Sequence, residues 1–180
     1  IAAYLTDRSL RPMDDIDVLV PEDRLPETVR ALASIGLAPQ GHPRLVENHR
    51  VQANFPGWPF LGGGQNIDLH WKALHYDRRI EADDEFWKGS REARLDGMRI
   101  RILDPADQLL QICAHAAQTF VGAAVTHWPV DAALVLRGSP DLSWDRFVAQ
   151  AERHRLSAIL TYALEFLRDH FEMPIPLHAL

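Results

Sequence analysis

The sequence has a single cysteine, Cys113, in 180 residues. That excludes an internal disulfide framework and leads us to expect a reducing, cytoplasmic setting. No apolar run approaches the roughly 20 residues that span a bilayer, so no membrane partner is expected. No basic stretch followed by a long apolar run marks a signal peptide. Ile1 rather than Met stands first, and Ile1 to Leu5 reads as a helix already under way, so further residues are expected upstream. Positive charge is also short: 19 Lys and Arg stand against 25 Asp and Glu, a net charge of -6. A broad surface that coats nucleic acid is thereby excluded. A small anionic substrate is not, because bound metal ions reverse the local sign of the field. Internal repeats and low-complexity segments are absent, and Ile1 to Asp14 contains no glycine.

Hydrophobic residues make up 47% and charged residues 24%, the balance of an ordinary globular chain. The length suits one domain or two small lobes sharing a core. Asp15 to Val20 combines β-branched and aliphatic residues and stops at Pro21, which reads as a short buried strand. Pro26 and Glu27 open a helix with Val29, Leu32 and Ile35 on one apolar face and Gly36 as its stop. Arg44 to Phe55 reads as a strand of mixed character. Gly62 to Gly64 reads as a flexible loop feeding a strand from Asn66 to Trp71, and Glu85 to Lys88 as a short helix. Asp96-Gly97 supplies the positive φ angles of a tight turn and predicts a hairpin from Ala93 to Leu103.

At Asp104-Pro105 the pattern becomes helical, over 106–121, 129–136, 144–154 and 157–171. Asp104, Ser143 and Ser157 are expected as caps, and Asp107 lies in a first turn where the helix dipole favours an anion. The architecture expected is α+β, with a mixed sheet lobe over 1–103 and a helical lobe over 104–180.

The chemistry concentrates on three carboxylates. Asp15 and Asp17 are two apart in a strand, so both side chains leave the same face, while Ile16 and Val18 point into a core. Two adjacent carboxylates repel, and a divalent cation resolves the conflict. A solvated strand end is the plainer reading of Asp-x-Asp alone. In Ile67-Asp68-Leu69-His70-Trp71 the apolar residues share one face and Asp68 and His70 the other. If the two strands are neighbours, Asp68 completes a three-carboxylate cluster suited to two metal ions; otherwise it pairs with a nearby arginine. His70 is placed to touch substrate or orient a ligand, the plainer reading being a surface or hydrogen-bonded structural role. Arg11 is placed to contact a phosphate or to form a structural salt bridge. Arg78 and Arg79 form either a solvated charge cluster or a hold for an acidic substrate. His115 reads as a satisfied core residue, and with Cys113 it lacks the further ligands a zinc site needs. Trp128 and Asp131 read as helical-lobe packing, with a place facing the cleft as the alternative for Asp131.

Arg11-x-x-x-Asp15-Ile16-Asp17-Val18-Leu19-Val20 followed by Ile67-Asp68-Leu69-His70-Trp71 resembles the uncharacterised nucleotidyltransferase family of the DNA polymerase β-like superfamily. Leu103-x-Pro105-x-Asp107-Gln108-Leu109-Leu110-x-x-Cys113-x-His115, then Trp128-x-x-Asp131 and Trp144, is similar to its helical part. The resemblance implies Mg²⁺-dependent transfer of a nucleoside monophosphate from an NTP such as ATP, through a two-ion site. Asp15 and Asp17 match the paired metal ligands. Asp68 matches the third carboxylate, which binds metal and helps deprotonate the acceptor hydroxyl, while Asp14 faces away. The acceptor is unspecified: a small molecule, a protein or an RNA, the last requiring a basic strip around Arg44, Arg50, Arg78 and Arg79. One departure stands out. The superfamily's glycine-containing phosphate-binding element, which precedes the aspartate pair, is missing from Ile1 to Asp14. It is expected upstream of Ile1. If it has been lost, the alternative is a catalytically inactive module that binds a nucleotide or a partner.

Overall fold

The computed structural model describes residues 15–42, 44–75, 77, 79, 81–118 and 127–180. The readings placed on Ile1 to Leu5, Arg11, Asp14 and Arg78 lie outside them. The described residues fall into two compact units, 15–83 and 84–180.

The first unit is a four-stranded mixed sheet with two helices. β1 (Ile16–Leu19), β2 (Ala38–Pro39), β3 (Gly57–Gly62) and β4 (Gln65–His70) lie in the order β1-β4-β3-β2, and only β1 and β4 run parallel. Leu25, Leu37, Val46, Phe60, Leu69 and Trp71 form the buried core, with Val18, Val20, Trp58 and Ile67 packed against it. Alternation along β3 and β4 therefore commits one face to the core and leaves the other for Asp68 and His70. Ile16, expected inside, is 63% exposed. It begins the strand ahead of Val18, the first of its residues to reach the core.

Helix α1 (Leu25–Ser34) carries Val29 and Leu32 onto the core and ends at Gly36, whose φ of 84° is easy only for glycine. Ile35 falls just past the helix and is 68% exposed rather than on its apolar face.

The strand expected over Arg44 to Phe55 is instead a helix, α2 (His49–Asn54). Asn48 caps it, accepting a 2.9 Å hydrogen bond from the Arg50 N–H, and a local cap of this kind outweighs weak strand propensity. The strand next to β4 begins later, at Gly57, in a stretch that Pro59 disguises. Gly63 and Gly64 have φ of 57° and 77°. Positive φ at both positions is the geometry of a two-residue hairpin turn, so the expected flexible loop is the fixed link between β3 and β4.

The segment after β4 is held by polar contacts. Both oxygens of Asp83 accept from the Ala73 N–H at 3.2 and 3.3 Å, and Lys72 pairs with Glu22 at 3.0 Å. Asp83 is 7% exposed. Burial pushes its carboxyl above the usual range, against the Ala73 hydrogen bond and the Lys72 charge.

In the second unit α3 (Asp84–Gly89) leads into the hairpin of β5 (Arg91–Leu95) and β6 (Met98–Ile102). Asp96 and Gly97, at φ of 50° and 82°, form its expected turn. Four helices follow: α4 (Pro105–Gln118), α5 (Trp128–Gly138), α6 (Trp144–Arg153) and α7 (Ser157–Phe171). α4 packs against the other three, and its Ala106, Leu109, Leu110 and Cys113 are fully buried. Burial pushes the Cys113 thiol up to about 12. His115 lies on the outward side of α4 and is exposed, not in the core as expected. Trp128 packs on Phe166 of α7.

Asp104 caps α4 through the Ala106 N–H at 2.9 Å, and Ser143 caps α6 through the Arg146 N–H at 3.2 Å. The third expected cap, Ser157, is instead the first residue of α7. The turn is made upstream by Arg155, at φ of 58°, and Leu156 occupies the cap position. Among the described residues no helix is long and apolar enough to cross a membrane.

At the centre of this unit Asp107, fully buried, meets Arg146 through two bonds, Nε to Oδ1 at 3.0 Å and Nη2 to Oδ2 at 2.7 Å. Arg146 Nη2 also donates to the Glu85 carbonyl at 2.7 Å, which ties α3 to α4 and α6. Gly89 leaves space where a Cβ would collide with this guanidinium.

Removing one partner of a buried ion pair strands the other charge. Arg146→Ala should therefore lower unfolding free energy by about 3 kcal/mol in urea titrations. Asp83 generates the opposite sign. Its raised pKa means the folded state binds more protons than the unfolded state, so its contribution to stability falls as pH rises through the folded value. Asp83→Asn should stabilise the protein near neutral pH, and the gain should vanish below the ordinary aspartate range. Urea unfolding of both proteins across pH checks it.

Candidate metal centre

The parallel pairing of β1 with β4 sets Asp17 directly beside Asp68 and Leu19 beside His70. The opposite face of β4 anchors that register, because Leu69 is fully buried and Trp71 is 1% exposed. Trp71 also donates its indole N–H to the Gln52 carbonyl at 3.1 Å. A slip of one residue would bury Asp68 and expose Leu69.

Asp17, Asp68 and His70 each bring a ligand atom to within 4.8 Å of the others. His70 Nε2 lies 3.0 Å from Asp17 Oδ1. Asp17 is largely exposed, and Asp68 and His70 are half-buried. Asp15 is exposed, just ahead of β1, and stands outside this group of three. Arg79, the described member of the arginine pair, is engaged by the Asp77 carboxylate, with Nε donating to Oδ1 at 2.9 Å. Arg44 and Arg50 are exposed.

Two carboxylates and an imidazole converging on one sheet face, open to water, fit a divalent cation. The oxygens supply negative charge, and the partial exposure leaves room for water and phosphate oxygens to complete the coordination.

Gly57 is a contributor that the sequence reading missed. It lies across from His70 in the β3–β4 ladder. A Cβ there would come within 2.7 Å of His70 Nδ1 and within 2.7 Å of the Leu69 carbonyl oxygen. The missing side chain leaves room for the imidazole in the position from which it reaches Asp17. The only trace in the sequence is a glycine opening a strand that carries Trp58 and Phe60.

The family comparison matches residues 1–172 to the uncharacterised nucleotidyltransferases. The chain belongs to that family. No curated protein matches significantly. Among solved structures it is similar to the antibiotic-resistance factor ANT(2'')-Ia, whose solution structure was described as showing substrate-regulated conformation dynamics. The TM-score is 0.52 at 17% identity, covering 86% of this chain and 78% of that one. The likeness shows a common fold: a mixed sheet followed by helices, as a nucleotidyltransferase has. Family and fold together support transfer of a nucleoside monophosphate in general terms, with a nucleotide as substrate.

Gly57→Ala should turn the imidazole away from Asp17 and shift the β3 backbone, costing about 1–3 kcal/mol in unfolding free energy, as overpacking does. Imidazole NMR shifts of His70 report the displacement. Unchanged shifts would detach Gly57 from the site.

Proposed function

We propose that this chain is a Mg²⁺-dependent nucleotidyltransferase that moves a nucleoside monophosphate from an NTP to a hydroxyl-bearing acceptor. The observation that carries the reading is the placement of Asp17 beside Asp68 on one sheet face, in a member of a nucleotidyltransferase family. Asp15, Asp17 and Asp68 would hold the ions. Bound Mg²⁺ offsets the charge of the triphosphate and favours the alkoxide form of the acceptor hydroxyl.

The chain's own groups do the rest. Asp68, half-buried and beside Asp17, would take the acceptor proton. The acceptor oxygen then bonds to the α-phosphorus as the bond to the bridging oxygen breaks, and pyrophosphate leaves. His70, 3.0 Å from Asp17, would stand beside that carboxylate in the site. Arg11 is the residue proposed to meet the phosphates. The nucleotide acts in the cytoplasm on this reading, and the acceptor is a small molecule, a protein or an RNA.

The second reading is a module of the same fold that binds a nucleotide or a partner without turnover. Calorimetry with Mg²⁺ and each NTP, run beside a pyrophosphate-release assay, separates the two. Binding without release supports the module. For the enzyme, Asp17→Asn and Asp68→Asn should each lower Mg²⁺-dependent turnover by about two to three orders of magnitude, the scale of losing a preorganised electrostatic contact. Asp15→Asn combined with Asp17→Asn should abolish it. Undiminished pyrophosphate release in that double variant would sink the mechanism.

A further inference from the structure

The geometry points to His70 as a direct metal ligand beside Asp17 and Asp68, in a site that binds Mn²⁺ more tightly than Mg²⁺. The inference rests on the proposed function for the presence of a cation and goes beyond it in the identity of donor and ion.

Three observations converge. First, His70 Nε2 and Asp17 Oδ1 are 3.0 Å apart. Donors at adjacent corners of an octahedron with bonds of about 2.1 Å are separated by about 3.0 Å, the bond length times √2. An ion can therefore join both atoms without moving them, replacing a hydrogen bond by two coordinate bonds. Second, the group of ligand atoms within 4.8 Å of one another contains His70 and not Asp15. The third possible ligand atom in that group, beside those of Asp17 and Asp68, is thus a nitrogen. Third, the fold keeps the imidazole in that position. Gly57 vacates the space its ring needs, and a Cβ there would press on Nδ1 at 2.7 Å.

The donor set then decides the ion. Mg²⁺ is a hard cation that takes oxygen ligands and gains little from imidazole. First-row transition ions accept imidazole nitrogen readily, and Mn²⁺ combines that with a liking for carboxylate and water in octahedral geometry. Two carboxylates and one imidazole, with open positions for water or phosphate, suit Mn²⁺. Tightness of binding is a separate matter from which ion supports the fastest turnover.

The test uses the full chain with Mn²⁺ alone and Mg²⁺ alone, without nucleotide. Pulsed EPR of the Mn²⁺-loaded protein should show coupling to an imidazole ¹⁴N that disappears in His70→Gln. Titrations should give Mn²⁺ an affinity at least about tenfold above that of Mg²⁺. His70→Gln should weaken Mn²⁺ by about tenfold and Mg²⁺ by less than about twofold. Bound Mn²⁺ without nitrogen coupling, or equal weakening of both ions in His70→Gln, overturns the inference. If Asp17→Asn and Asp68→Asn still lose both ions in that case, the carboxylate site of the proposed function stands. If those two variants bind both ions like the parent chain, the site itself falls.

Discussion

The arrangement of the first unit depends on the parallel register between β1 and β4. Two like charges, Asp17 and Asp68, sit side by side across that pair. Neighbouring carboxylates work against strand pairing. The pairing persists because the other face of the sheet fixes it: Val18, Leu69 and Trp71 lock into a core from which no one-residue slip is cheap. Hydrophobic packing on one side thus enforces the close approach of two carboxylates on the other. Under the proposed function, that enforced approach is what a divalent cation would use.

The second unit solves a different problem with a buried charge pair. Asp107, Arg146 and the Glu85 carbonyl connect α3, α4 and α6 through directed bonds, while the leucines of α4 supply non-directional burial. A guanidinium with a fixed fork of donors specifies how helices meet more sharply than aliphatic contacts do. The clearance at Gly89 belongs to the same device, just as Gly57 belongs to the imidazole of His70. In each unit a glycine is placed by a neighbouring polar side chain, with no turn involved.

Much of this was legible in the sequence. The Asp-x-Asp strand, the Asp68–His70 face, the Asp-Gly hairpin and the caps at Asp104 and Ser143 follow local rules, and local rules are visible in short windows. Misreadings occurred where a local signal competed with tertiary context. Arg44 to Phe55 lacked clear periodicity and Asn48 settled it as a helix. Pro59 concealed β3, and three glycines read as slack where two of them make a fixed turn. His115 looked buried because its neighbours are apolar, yet it lies on the outer side of the helix. In the site, alternation placed Asp68 and His70 together. What alternation could not give was the diagonal reach of His70 to Asp17, which needs the neighbour strand, its direction and the space over Gly57.

The route of the chain through the sheet also orders events in time. His70 and Asp17 are 53 residues apart in sequence, yet they touch. Strand β4 pairs locally with β3 through its tight turn, whereas β1 must close a long loop to dock in parallel. The hairpin can exist early, but the cluster of ligands cannot exist until β1 arrives. A nascent or partly unfolded chain would therefore present scattered single carboxylates with little hold on an ion. Occupancy by metal would report that β1 has docked, and a loaded site would in turn resist its release.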